Sequence, residues 1–330
     1  MKHIYLLFLL CLMPMLNSCG ILDSGGGNPY TEYHLINRLY SINLANGSIK
    51  LITVGSRFSI LQNGKILFLK NNNLYTCNPD GSDSLNIFHN NKVITTYQTA
   101  SNGTKIIFEQ YPSMYITNTD GSDYSRLNTA GNPGNFTSLI YSPDELKIAY
   151  ANSTGLYITN YYGTNTKLIR NTSYNSYFPS IGFTPDGNNL IYIQSIQNKY
   201  ARDLRLYNFI SKKDTSLYYR DVYATGATSF SISTGNNLLF CDETGIKLLN
   251  LTDYDYHPIY IGGGDAHFSY DSSKITFIDF SENAIGLLYL NSYTVNLFPI
   301  NLPGNIISGP TLSRDGKQII FQADTSWVVY

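Results

Sequence analysis

Charge is scarce in this chain. Lys, Arg, Asp and Glu make up 14% of its 330 residues, against roughly a quarter in an average soluble domain, and the formal net charge is −1. There is no basic field to hold a phosphate backbone, so nucleic acid is not an expected partner. Tryptophan occurs once and cysteine four times. Long runs of Leu, Ala, Glu and Lys at helical spacing are missing, which argues against a helical body. Beyond the N-terminus no run is apolar enough to span a membrane. What is abundant is tyrosine, 29 residues, set among Ile, Leu, Thr, Asn and Ser in alternating runs. Those are strand-forming patterns, and a Tyr-, Ser- and Asn-rich surface suits adaptable recognition.

The first 20 residues, "MKHIYLLFLLCLMPMLNSCG", begin with Lys2 and carry an apolar run from Ile4 to Met13. That run is too short for a stable span and right for a signal peptide. It ends Leu16-Asn17-Ser18-Cys19, which resembles the bacterial lipobox, with Asn17 a departure from the usual residue there. The resemblance implies a leader over 1–18, cleavage before Cys19, and acylation of Cys19 by palmitate-type chains. Several acyl chains anchor a protein stably. Gly20 resembles a signal that permits outer-membrane sorting. Residues 19–33, "CGILDSGGGNPYTEY", read as a Gly-rich tether. Cys77 and Cys241 then remain. They fall at different places in different repeat units, so two free buried thiols are expected rather than a disulfide.

The rest of the chain, 34–330, repeats. A turn followed by a short apolar run ending in an aromatic occurs seven times, closing at Phe68, Phe108, Tyr150, Tyr192, Phe240, Phe277 and Phe321. The spacings are 40, 42, 42, 48, 37 and 44 residues. After each of the first six comes a second run, a polar turn and a further short run. The stretch "NPDGSDSLNI" at 78–87 returns as "NTDGSDYSRL" at 118–127. Asp-Gly and Asn-Gly supply the positive φ of tight hairpin turns. Four antiparallel strands in about 42 residues make one propeller blade. The expected fold is all-β, a seven-bladed β-propeller, with six or eight blades as alternatives. Residues 39–43 and 48–53 read as outer strands that come first, and 310–313 and 317–322 as inner strands that come last. Together they would complete the seventh blade from both termini. "SWVVY", 327–330 with Ser326, reads as a competing third strand of that blade.

"SPDELKIAYANSTGLYITNYYGTNTKLI" (142–169) and "TPDGNNLIYIQS" (184–195) resemble the repeats of TolB-type, WD40-like propellers. The resemblance covers roughly 34–330 and implies the architecture. It does not carry a function, since propellers host many.

No catalytic pattern stands out. His34, His89, His257 and His267 form no metal-spaced pair, and no nucleophile elbow occurs. Neither metal nor cofactor is expected. The Asp-Gly turns have a calcium-loop alternative, but the further oxygen ligands it needs are missing. The inner strands "TSLIY" (137–141), "SIGF" (180–183) and "TSFSI" (228–232) are small and apolar, which argues against channel catalysis. The expected function is a lipid-anchored, non-catalytic binding or scaffold module of the cell envelope, monomeric, with an envelope protein or glycan as partner. The alternative is an envelope hydrolase, of glycosidase or peptidase type, with its site in the channel. Contact is expected on the face opposite the Asp-Gly turns, where the connections vary most. Tyr174, Tyr177, Tyr200, Arg202, Tyr223 and His267 are the candidate partner-binding residues, because Tyr and Arg anchor interfaces.

Overall fold

The computed structural model describes residues 32–88, 93–100, 103–127, 136–172, 176–196, 201–220, 229–302 and 305–329. The leader, Cys19 and the tether up to residue 31 lie outside the described residues, as do Tyr174, Tyr200 and Tyr223, while Glu32 and Tyr33, read as the end of the tether, already belong to a strand. Leu35–Ser326 make one compact unit.

Every described element is a strand or a turn, and the strands form seven four-stranded antiparallel sheets. Blades 1 to 6 span 56–88, 96–126, 138–171, 176–220, 229–261 and 263–299. In each, four consecutive strands, here A to D, run from the inside outward. The seventh blade takes strands A and B from Asn305–Leu312 and Gln318–Val329, and strands C and D from Glu32–Asn43 and Ile49–Val54. Both termini therefore close the ring. Trp327–Val329 are not a third strand; they prolong strand B. The stretch "QADTS" between Phe321 and Trp327 holds no Gly, Asn or Pro to reverse the chain, so the strand runs on.

The seven closing aromatics all sit on B strands and all are fully buried. Each faces a chosen partner on strand C. Phe68, Phe108 and Tyr150 pair with Tyr75, Tyr115 and Tyr157, ring centroids 5.9, 5.9 and 5.2 Å apart. Phe321 stacks on Tyr40 at 5.6 Å. Phe277 faces Gly286, and a Cβ there would come within 2.1 Å of its ring. Tyr260 of blade 5 packs on Phe277 instead, at 4.3 Å. Burying one such ring contributes about 1.5–3 kcal/mol. Seven buried clusters form, one at each junction of neighbouring blades, including the junction of blades 7 and 1. Cys77 and Cys241 are buried thiols that form no disulfide, and burial pushes both up to about 11.

The turns explain the repeated words. In the C–D turns, Asp80 and Asp120 accept hydrogen bonds from the backbone N–H and hydroxyl of Ser82 and Ser122, at 2.6–2.9 Å. Those hydroxyl bonds, then the N–H bonds, lower both carboxyls. Asn78 and Asn118 donate to Asp83 and Asp123 at 2.8 and 2.9 Å. The carboxylates are thus engaged by the turn's own donors. Gly81 and Gly121 have φ of 89° and 87°, and a Cβ on either would lie 2.4 or 2.0 Å from the carbonyl oxygen of Ile52 or Ile87 in the preceding blade. The A–B turns use a second device. Ser142, Thr184, Ser269 and Ser313 each donate to the Asp two residues on, at 2.5–2.7 Å, and accept the N–H that restarts strand B.

Candidate functional site

Two regions combine reactive side chains with irregular backbone. One lies on the innermost strands of blades 6, 7 and 1. There each A strand carries a β-bulge, two residues opposite one, and each bulge lies opposite the closing aromatic of strand B. The first bulge residues are Asp265, Gly309 and Arg57, with φ of 48°, 62° and 50°. Glycine is the ordinary occupant of that left-handed position. Asp265 and Arg57 hold it under strain, which marks positions where a side chain is being aimed.

The surroundings show what holds them. Asp265 accepts the Gly309 N–H at 2.6 Å with one oxygen and meets His267 Nε2 at 3.0 Å with the other. Burial opposes ionisation of Asp265, but the bonds from His267 and the Gly309 N–H outweigh it and lower its pKa. Gln322 accepts the Arg57 N–H at 2.9 Å. Tyr97 of blade 2 donates to the Arg57 carbonyl, and Thr276 of blade 6 donates to the Pro310 carbonyl at 2.5 Å. A carboxylate beside an imidazole can hold or pass a proton, and the Arg57 side chain is exposed. The apolar inner strands read from the sequence belong to blades 3, 4 and 5, so this polar sector was missed. The visible signal was the string "GGGDAHF", whose Asp and His alternate on a strand.

The second region lies on blade 4, on the face opposite the Asp-Gly turns. In blades 1, 2, 3, 5 and 6, strand B ends two residues past its aromatic, at Lys70, Gln110, Asn152, Asp242 and Asp279. In blade 4 it runs to Ile196, four past Tyr192. Two extra residues raise the blade by about 7 Å. Tyr177, Ser195 and Arg202 stand in one row across strands A, B and C. Opposite residues of an antiparallel pair share a face, so the ring and the guanidinium lie on one side, two strand spacings or about 10 Å apart. Tyr177 and Arg202 are strand residues rather than loop residues, and both are half-buried. His267 is on blade 6, on strand A past the bulge, and does not join that row.

The reverse side of the same strands is braced. Arg205 lies 2.5 Å from Asp203 and 2.9 Å from Asp214, and Arg170 of blade 3 reaches Asp214 at 2.5 Å. Tyr192 also donates to Asp214, at 2.8 Å, and Ser216 to Asp203, at 2.6 Å. Blade 5 has its own buried pair. Asp242 takes bonds from Lys247 and Tyr218, each at 2.5 Å. Among the described residues no group of three or more His, Cys, Asp or Glu is placed to hold a metal.

No protein-family model matches the chain, and no curated protein is similar to it in sequence. Solved structures are similar in fold. A putative TolB from Agrobacterium tumefaciens aligns with a TM-score of 0.51 at 13% identity, over 88% of this chain and 99% of that one. An oligogalacturonate lyase in complex with manganese aligns with a TM-score of 0.56 at 12% identity, over 86% and 81%. The β-propeller domain of Cps50 (Swd1) from Myceliophteria thermophila aligns with a TM-score of 0.56 at 12% identity, over 84% and 97%. At these identities the likeness is one of fold alone: the chain is a seven-bladed β-propeller, similar in fold to a putative TolB.

Proposed function

We propose that this chain is a lipid-anchored, non-catalytic binding protein of a bacterial cell envelope, held in the outer membrane through Cys19, and that it docks a protein partner on the raised edge of blade 4. One observation carries the reading: blade 4 alone among blades 1 to 6 outgrows its neighbours, and its added length bears Tyr177 and Arg202 in one row. A ring and a guanidinium on a projecting, braced edge are the anchors that protein interfaces favour. The lipobox-like Leu16–Cys19 supports the anchor, and the fold shared with a putative TolB is compatible with an envelope setting. The test is affinity capture from crosslinked envelopes, beside palmitate labelling. Label is expected in the wild type and lost in Cys19→Ser, and a discrete partner is expected on the beads.

The polar inner strands favour a second reading, an envelope enzyme working in the channel. Asp265 and His267 would be its acid–base pair, and a similar fold does serve as an oligogalacturonate lyase. A glycosidase, lyase and peptidase screen on wild type and Asp265→Asn separates the two. Turnover that the substitution abolishes would favour the enzyme.

A further inference from the structure

Strand D of blade 2 leaves its C–D turn as Ser125–Arg126. A groove of about 550 Å³ opens between the outer part of blade 2 and the C–D turn of blade 3. It lies at the turn end of the molecule, away from the raised edge of blade 4.

Its walls have a definite chemistry. Tyr161 and Tyr162, in the blade 3 turn, stand at 83° with centroids 5.4 Å apart, and Tyr162 is 75% exposed. Tyr161 is backed by the buried cluster between blades 2 and 3, so that corner is firm. The Lys105 ammonium sits 5.3 Å from the Tyr161 centroid and donates to Asn118 at 3.2 Å. Arg126 is exposed, and its guanidinium makes no hydrogen bond or ion pair among the described residues. Asp123, the single acid among the described lining residues, is turned toward the Asn118 amide at 2.9 Å. The apolar floor is small, Ile116 and Leu127.

We infer that this groove is a second binding site, for an oligosaccharide that carries carboxylates. The flat, exposed face of Tyr162 suits the C–H face of a pyranose ring. Lys105 and Arg126 give the groove a positive balance, and a planar guanidinium matches a carboxylate bidentately. A folded peptide segment would need a deeper apolar pocket than Ile116 and Leu127 provide. The shallow, open form suits a chain of sugars passing through rather than an enclosed small molecule.

The test is a calorimetric titration of the full chain in mild detergent with uronate oligosaccharides from hyaluronan, alginate and polygalacturonate, each beside its carboxyl-reduced form. At least one acidic chain is expected to bind, and its reduced form to bind about tenfold weaker or less. Tyr162→Ala and Arg126→Ala should each weaken binding by about tenfold, while Tyr162→Trp retains it and melting temperatures stay level. Tyr177→Ala with Arg202→Ala should leave sugar binding intact, so failure here is distinct from failure of the blade 4 reading. The inference is overturned if no acidic chain binds, if reduced chains bind equally well, if the two alanine variants bind as wild type does, or if an acidic peptide proves to be the better ligand.

Discussion

At the scale of single residues, position rather than type decides what a glycine or an acid is worth. Gly64 and Gly121 both have positive φ, 82° and 87°, yet nothing lies within 4 Å of a Cβ on Gly64. Gly64→Ala should therefore cost about 1 kcal/mol of backbone strain. Gly121→Ala must also push a Cβ away from the Ile87 carbonyl, so a loss of about 3 kcal/mol or more is expected. Urea midpoints of the two variants measure the difference, which isolates the contact between blades 1 and 2. Asp242 gives a pH signature. Burial opposes its ionisation, but bonds from Lys247, Tyr218 and Thr244 outweigh it and hold the carboxyl at about 2, below its ordinary 3.8. A depressed carboxyl stabilises above its unfolded pKa, so roughly 2 kcal/mol is present above pH about 4 and is lost as pH falls toward 2. Asp242→Asn should be less stable at neutral pH by about 3 kcal/mol, because Lys247 is left buried and unpaired. It should then lose less than wild type on acidification to about pH 2.5. The Tyr141 hydroxyl is buried with no partner among the described residues. Tyr141→Phe is expected to raise stability by about 1 kcal/mol, read as a higher melting temperature.

At the scale of elements, the hairpins were legible and the bulges were not. Turn words such as "DGSD" and the aromatic that closes each B strand are local patterns, and local patterns show in a sequence. The structure places those words at the C–D turns and all seven aromatics in the core. A bulge is a property of a pair of strands. Nothing in "GSRFS" shows that Arg57 and Phe58 will oppose the single residue Phe68. For the same reason the sector joining Asp265, Gly309 and Arg57 stayed hidden, since its members lie on three different blades. Asp265→Gly should relax the backbone at φ 48° yet remove the acceptor of the Gly309 N–H. The lost bond to a charged acceptor outweighs the relief, so a net loss of about 1–2 kcal/mol is expected in denaturant titration.

At the scale of the whole molecule, closure from both ends was legible because the first strands lacked inner partners and the last strands lacked outer ones. Only the tail was misread. Of the candidate residues, Tyr177 and Arg202 share a row on blade 4 and His267 stands apart with Asp265. Sequence spacing could not separate them, because a ring of blades brings distant stretches together and keeps near ones apart. A blade shared by both termini makes stability global. Removing residues 318–330 takes strand B from blade 7, leaving strand A without its partner and strand C with one edge bare, and the cooperative melt should be lost rather than shifted. The claim that blade 4 is the docking edge is tested most directly by partner capture from crosslinked envelopes with two sets of variants. Tyr177→Ala with Arg202→Ala should lower capture by about tenfold or more at an unchanged melting temperature. Asp83→Ala with Asp315→Ala, on the turn face, should lower the melting temperature slightly and leave capture intact. Capture that survives the blade 4 pair and fails in the turn pair would contradict the account.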